Sequence, residues 1–274
     1  PLTSIHTQVV AQRSIYANTS VEAAAAAGGD VTTSTQAMGN SVGTSASYGV
    51  SGVRMNQTNE ASVVSDGGGN FRRVTGTANF LAATTGNTVT ASGVGGSGQN
   101  LEIRQTNDGA LTQASQFTAY GSAYLANTTA TAVANNVYAD NQGPVLNVSA
   151  QQSNTSYVRA QAESSAYQFG AGSAMAMGVG NSMMVSELGQ ESTIDSDQFN
   201  DGGGVDSVGS FRGPVGYDAS ATSTAIGNSA GGTVCATCEG RLQATNQQIN
   251  AAGVSASTTL SLTGAARSAT GTAM

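Results

Sequence analysis

The sequence has no tryptophan and no lysine, and it carries one histidine, two cysteines and three prolines in 274 residues. All nine cations are therefore arginine. Without lysine there is no Schiff-base chemistry, no P-loop lysine and no lysine–asparagine isopeptide crosslink. A Ser/His/Asp triad or a histidine-based metal centre would have to use His6, near one end of the chain. An exposed terminal side chain is the plainer expectation for it. Charged residues make up 9% and aromatics 5% of the chain, too few for an ordinary thick globular core. A net charge of −7 with no basic cluster excludes nucleic acid as a partner. Disorder usually pairs low hydrophobicity with high charge, whereas here 39% is hydrophobic. No apolar run is long enough to cross a membrane as a helix.

Cys235 and Cys238 form the only CxxC. A redox motif needs a helix N-terminus after a strand, and Thr233-Val-Cys-Ala-Thr-Cys238 offers no such context. Half a zinc site has no second pair to complete it. A local Cys235–Cys238 disulfide is the expectation, and it points to an oxidising, extracellular compartment.

What the chain does have is repetition. In Leu101-Glu-Ile-Arg-Gln-Thr-Asn107, apolar and then carboxamide residues alternate with charged or polar ones. That is the pattern of a strand with one buried face. Val53/Met55/Gln57/Asn59, Leu146/Val148/Ala150/Gln152/Asn154, Ile194/Ser196/Gln198/Asn200 and Leu242/Ala244/Asn246/Gln248/Asn250 repeat it. A degraded first copy is placed at Val10, Gln12 and Ser14. The glutamines at 57, 105, 152, 198 and 248 set a period near 47 residues.

A second series lies between these copies: Gly39-Asn40, Gly86-Asn87, Ala134-Asn135, Gly180-Asn181 and Gly227-Asn228. Merged, the asparagines at 59, 87, 107, 135, 154, 181, 200, 228 and 250 come at alternating long and short steps averaging about 24 residues. The merged series predicts an all-β fold, a β-solenoid (β-helix) of about eleven coils, two per 47-residue repeat. Stacked coils would lay Asn on Asn and Gln near Gln at about 4.8 Å, as self-satisfying amide ladders. The competing reading puts these asparagines in turns, where their tolerance of positive φ is useful.

Residues 1–50 read as a divergent repeat and cap, with Val21-Glu-Ala-Ala-Ala-Ala-Ala27 compatible with a short capping helix; residues 51–274 read as the solenoid. The last repeat stops at Met274 where Gly-Asn would follow, so the chain is expected to continue or to meet a partner end to end. Asp66–Asn70, Asp108-Gly109 and Asp201–Val205 are expected as protruding turns. Asp195, Asp197, Asn200, Asp201 and Asp206 have a calcium-loop flavour, but Asn stands at position six and Asp at position twelve.

Half-repeats with Asn/Gln ladders, Gly-Asn-Ser turns and Ala/Ser/Thr/Val filling resemble the large repeat-rich holdfast-anchoring proteins of stalked bacteria. That resemblance implies an extracellular, cell-surface anchor that tethers adhesive polysaccharide to the outer membrane. It also implies surface polysaccharide, an outer-membrane secretion pore and a fibre subunit as partners. Curli-like amyloid subunits are similar in their ladders, but their repeats are shorter. Trimeric autotransporter heads share phrases such as Thr224-Ala-Ile-Gly-Asn-Ser229, again with shorter repeats. Ice-binding solenoids are similar through Thr-x-Thr pairs, found here at Thr88/Thr90 and Thr222/Thr224. An enzyme, such as a solenoid polysaccharide lyase or hydrolase, would need paired carboxylates, and outward Asp195/Asp197 and Glu187/Glu191 are the only candidates. The expectation is a structural adhesin with no cofactor and no catalytic residues.

Overall fold

Strict alternation of small apolar and polar residues, with few prolines to interrupt it, favours long strands, and strands dominate. The computed structural model describes residues 2–235 and 239–274. The order is β1 (Leu2–Val10), β2 (Ser14–Ala27), β3 (Val31–Asn59), β4 (Ser62–Asn107), β5 (Leu111–Asn141), β6 (Val145–Asn154) and β7 (Tyr157–Glu187). There follow β8 (Glu191–Asn200), β9 (Val205–Gly213), β10 (Val215–Val234), β11 (Arg241–Asn250), β12 (Val254–Leu262) and β13 (Ser268–Ala273). Each described pairing is parallel, as a chain winding in one sense requires.

The register fixes the length of one turn. Asn59 lies beside Asn107, Asn107 beside Asn154, and Asn154 beside Asn200, offsets of 48, 47 and 46 residues. Stacked neighbours are thus a whole repeat apart, and the 24-residue coil is corrected to one of about 47. The segments ending in Gln-x-Asn, or its counterpart in β1, stack as β1, the end of β3, the end of β4, β6, β8 and β11. The eleven coils expected therefore become six levels among the described residues. The half-repeat misled because its two asparagines occupy opposite walls of one coil.

Each level has three segments. Segment a ends at Gln-x-Asn, segment b continues past a short turn, and segment c returns along the opposite wall. In the third level these are the end of β4, the start of β5 and the rest of β5. Cross-wall bonds define the pairing of walls: Ser65 with Thr84 and Thr118 with Thr128 join b to the first half of c. Gln105 Nε2 to the Asn136 carbonyl joins a to the second half of c. The interior is accordingly two apolar compartments side by side. One holds Phe71, Phe80, Tyr120, Phe169, Phe211 and many alanines. The other holds Leu101, Ile103, Leu146, Met183 and Ile194 among others.

Several local expectations change. Val21–Ala27 is not a capping helix: it belongs to β2, which pairs with β4 from Ser14 against Ser62 to Ala27 against Val74. Alanine's helix preference is a weak prior, and an adjacent strand edge with Val21, Ala23 and Ala27 against the core overrides it. Asp66-Gly-Gly-Gly-Asn70 is no turn but the middle of β4, where a Cβ on Gly67 would fall 2.0 Å from Gln116 Oε1 and one on Gly69 2.6 Å from Phe80. The glycines make room for large side chains of the next level and the far wall. Gly202 and Gly204, at φ 117° and 89°, do form a turn between β8 and β9. The first copy of the motif sits four residues earlier than expected, with Ser4, His6, Gln8 and Val10 beside Val53, Met55, Gln57 and Asn59. His6 is thus half-buried and bonded to Ser4 at 2.7 Å, rather than an exposed terminal residue.

Candidate functional site

Between the two compartments runs a polar partition built from three columns of carboxamides. The first is Gln8, Gln57, Gln105, Gln152, Gln198 and Gln248, joined amide to amide at 2.9, 2.8, 2.8, 2.7 and 2.6 Å. The second is Asn59, Asn107, Asn154, Asn200 and Asn250, at 2.7, 3.0, 2.8 and 2.6 Å. The third, on the opposite wall, is Asn40, Asn87, Asn135, Asn181 and Asn228, each step 2.8 Å. Gln105, Asn59, Asn87, Asn107, Asn135, Asn154 and Asn181 are fully buried.

Each amide group has two N–H bonds, and the columns use one. The other is spent across or along the wall. Gln57, Gln105, Gln152 and Gln198 donate to the carbonyls of Thr88, Asn136, Ser182 and Ser229 on the c wall. Asn87, Asn135 and Asn181 donate back to the carbonyls of Thr106, Ser153 and Phe199 on the a segment one level on. Asn59, Asn154 and Asn250 donate to the carbonyl two residues ahead, closing the a–b turn. Stacking and turn formation are therefore two uses of one side chain. Because an unpaired buried amide costs about 1–3 kcal/mol, this double use matters at each level. Gln116 shows the contrast, buried with neither amide atom partnered.

The Gly-Asn pairs lie in mid-strand rather than in turns. A Cβ at Gly86 would stand 2.5 Å from Asn107 Oδ1, and at Gly227 2.4 Å from Asn250 Oδ1. The glycine lets one wall approach the other wall's asparagine.

The acidic residues do not converge. Asp195 and Asp197 face outward on β8, beside Ser149 and Gln151 of one neighbour and Thr245 and Gln247 of the other. Asn200 points inward, where its Oδ1 accepts from Asn154, and Asp206 accepts from the Tyr157 hydroxyl. The calcium-like series is thereby divided between two faces. Among the described residues, no three His, Cys, Asp or Glu groups are placed to hold a metal. Glu187, expected outward, is fully buried; its carboxylate accepts from Asn141 Nδ2 at 2.9 Å and from the Gly189 N–H. Glu191 is exposed. Cys235 is disulfide-bonded, while Cys238 lies outside the described residues.

Burial pushes the Glu187 carboxyl above its ordinary value, and the two donated bonds offset part of that rise. A carboxyl whose folded pKa is raised contributes its stability below the unfolded value and loses it as pH climbs through the folded one. The expected outcome is that wild type loses melting temperature relative to Glu187→Gln as pH rises from about 4.5 toward neutrality. Parallel melting curves across that range would show that Glu187 is not the titrating group.

The outer surface carries features that the alternation pattern did not single out. Tyr124, Tyr167 and Tyr217 are 70%, 64% and 68% exposed, and all stand at the corner between segments b and c. A cleft of about 1080 Å³ crosses this corner, with Tyr124, Tyr217, Phe169 and Arg73 in its walls. The sequence signal was faint: three tyrosines 43 and 50 residues apart, close to the repeat length. On the a face, Arg54 pairs with Glu102 at 2.7 Å and Arg104 donates to Gln151 at 2.8 Å, both exposed links between levels. Exposed pairs of this kind contribute about 0–1 kcal/mol.

Residues 1–204 match the family model for Holdfast attachment protein D (HfaD). No curated protein and no solved structure matches the chain.

Proposed function

The chain belongs to the Holdfast attachment protein D family, which gives it a part in holdfast attachment, and from that premise we propose that it is an extracellular anchor tying surface polysaccharide to the outer membrane through a stiff solenoid. The observation that carries this reading is the continuous amide partition. From the second level to the fifth, each level is bonded to the next by three side-chain amide contacts as well as by its backbone ladders, and the first and last junctions carry two each. Opening one level would break bonds to both neighbours and orphan amides on each side, so load along the stack is shared rather than borne at one weak joint. Such a rod suits transmission of force, and its outward face is free to vary for binding.

The role proposed is structural rather than catalytic. That reading is supported by the uncharged neighbours that Asp195 and Asp197 meet on the adjacent levels and by the withdrawal of Glu187 into the interior. Outer-membrane secretion and anchor proteins are the proposed protein partners. The test is made on holdfast-bearing cells. Cells lacking this chain are expected to make holdfast polysaccharide in normal amounts but to shed it into the medium, and resupplying the chain should restore retention. Holdfasts that stay on cells without the chain would remove the anchor reading.

A further inference from the structure

The corner between segments b and c has an arrangement that the tether reading leaves unassigned. Ala123 pairs with Phe169 and Leu125 with Ala171, which sets Tyr124 beside Gly170. Phe169 in turn pairs with Gly216 and Ala171 with Asp218, which sets Tyr217 on the other side of the same glycine. Three consecutive levels therefore read Tyr, Gly, Tyr, with the tyrosines two strand spacings apart, about 9.6 Å. Gly170 has no side chain to fill the interval, and a Cβ there would stand 2.5 Å from the Tyr124 carbonyl oxygen.

The cleft around this slot has an apolar floor and a polar rim. Phe169 forms the floor, 5% exposed and in edge contact with Phe211 at 4.9 Å. Gly213 and Gly216 bring backbone directly onto its ring, where a Cβ would fall 2.4 and 2.2 Å away. Arg73, Gln168 and Arg267 stand on the rim, and Arg267 is oriented by Asp218, to which its Nε donates at 3.0 Å.

We infer that this cleft is a glycan-binding site, with Tyr124 and Tyr217 flanking a sugar ring over Gly170 and Arg73, Gln168 and Arg267 bonding its oxygens. A pyranose has two apolar C–H faces and a polar circumference, which is the complement of an aromatic slot with a hydrogen-bonding rim. Tyrosine suits the task because it gives a large amphipathic contact at low conformational-entropy cost. The cleft crosses successive levels along the stack, so a linear chain can lie in it. An extended peptide would need an unpaired strand edge to add to, and here the strands on either side already pair with one another. The inference rests on the tether reading and names the surface that would hold the polysaccharide.

The test uses oligosaccharides released from shed holdfast polysaccharide by partial acid hydrolysis, titrated calorimetrically into the whole chain. Wild type is expected to bind. The double variant Tyr124→Ala/Tyr217→Ala is expected to bind about tenfold more weakly or worse, the usual penalty for truncating aromatic anchors. Its melting temperature should be unchanged, because both side chains are largely exposed. Tyr16→Ala, which removes a tyrosine that is 60% exposed on segment b of the first level, should bind as wild type does. Equal binding by wild type and the double variant, or an equal loss in Tyr16→Ala, would overturn the site and leave the tether standing. No binding by wild type would remove both.

Discussion

Deletion of residues 108–154 should give a folded protein one level shorter, while deletion of residues 108–131 should give an unfolded one. The first removes one turn, since Asn107 and Asn154 are 47 residues apart and occupy the same place in adjacent levels. After it, Tyr157 and Val158 can stack where Leu111 and Thr112 stood, with the segments that now pair with β5 below them. All three amide columns stay in phase and lose one member. Stability in such stacks is close to a sum of level and neighbour terms, so the shortened chain should melt cooperatively within a few degrees of wild type. The second deletion removes segment b and half of segment c from one level. It leaves a gap in the compartment that holds Phe71, Phe80 and Phe169, and the b segments above and below have no strand between them. Circular dichroism and urea titration would distinguish the two. A folded 24-residue deletion alongside an unfolded 47-residue one would restore the shorter coil.

Asn107→Asp should lower the melting temperature by roughly 10 °C, and Thr106→Asp should scarcely change it. Asn107 accepts from Asn59 and donates to Asn154 Oδ1 at 3.0 Å and to Thr112 Oγ1 at 3.1 Å. An ionised carboxylate in its place keeps the first bond, but it sets oxygen against oxygen toward Asn154 and puts a charge in a fully buried partition. An uncompensated buried charge costs about 3–5 kcal/mol, and in a chain of this size each kcal/mol is about 2–4 °C. Thr106 is half-exposed on the outer face and keeps its backbone bond from Asn87 whatever its side chain. Acid supplies an internal control. Once protonated, the introduced carboxyl regains an O–H donor for Asn154, and its raised folded pKa means stability is present at low pH and lost as pH rises. The deficit should therefore shrink as pH falls through that raised value and be smallest below about pH 4. Equal melting temperatures for the two variants at neutral pH would show that the partition does not hold the levels together.

The Gln116 amide and the Glu187 carboxylate show how far alternation can be trusted. Both were visible as polar residues within strand-like stretches, and neither has the repeated partner that the columns provide. Gln116 faces Gly67 in the level below and Ala162 in the level above, so its amide meets no second amide. Glu187 stands where Asn141 stands one level below and Val234 one level above, so its column changes chemistry at each step. Repetition across levels is what gives each column amide the same partner at every step.

The residue pattern was enough to establish that the chain is all-β, that it repeats near 47 residues, and that glutamines and asparagines share a face with leucine, isoleucine and valine. Those features are local or periodic, and side chains alternating on a pleated strand make them legible. Which asparagine stacks on which was settled only by the folded chain. Steps of about 19 and 28 residues fit one column with short coils as well as two columns on opposite walls, and the pairing of Asn40 with Asn87 and Asn59 with Asn107 is what separates them. Folding also made the alanine run of β2 a strand, because a neighbouring edge offers partners that an isolated helix lacks. The tyrosine corner was fixed in the same way. Tyr124 and Tyr217 are 93 residues apart, and winding through two levels is what places them on either side of Gly170.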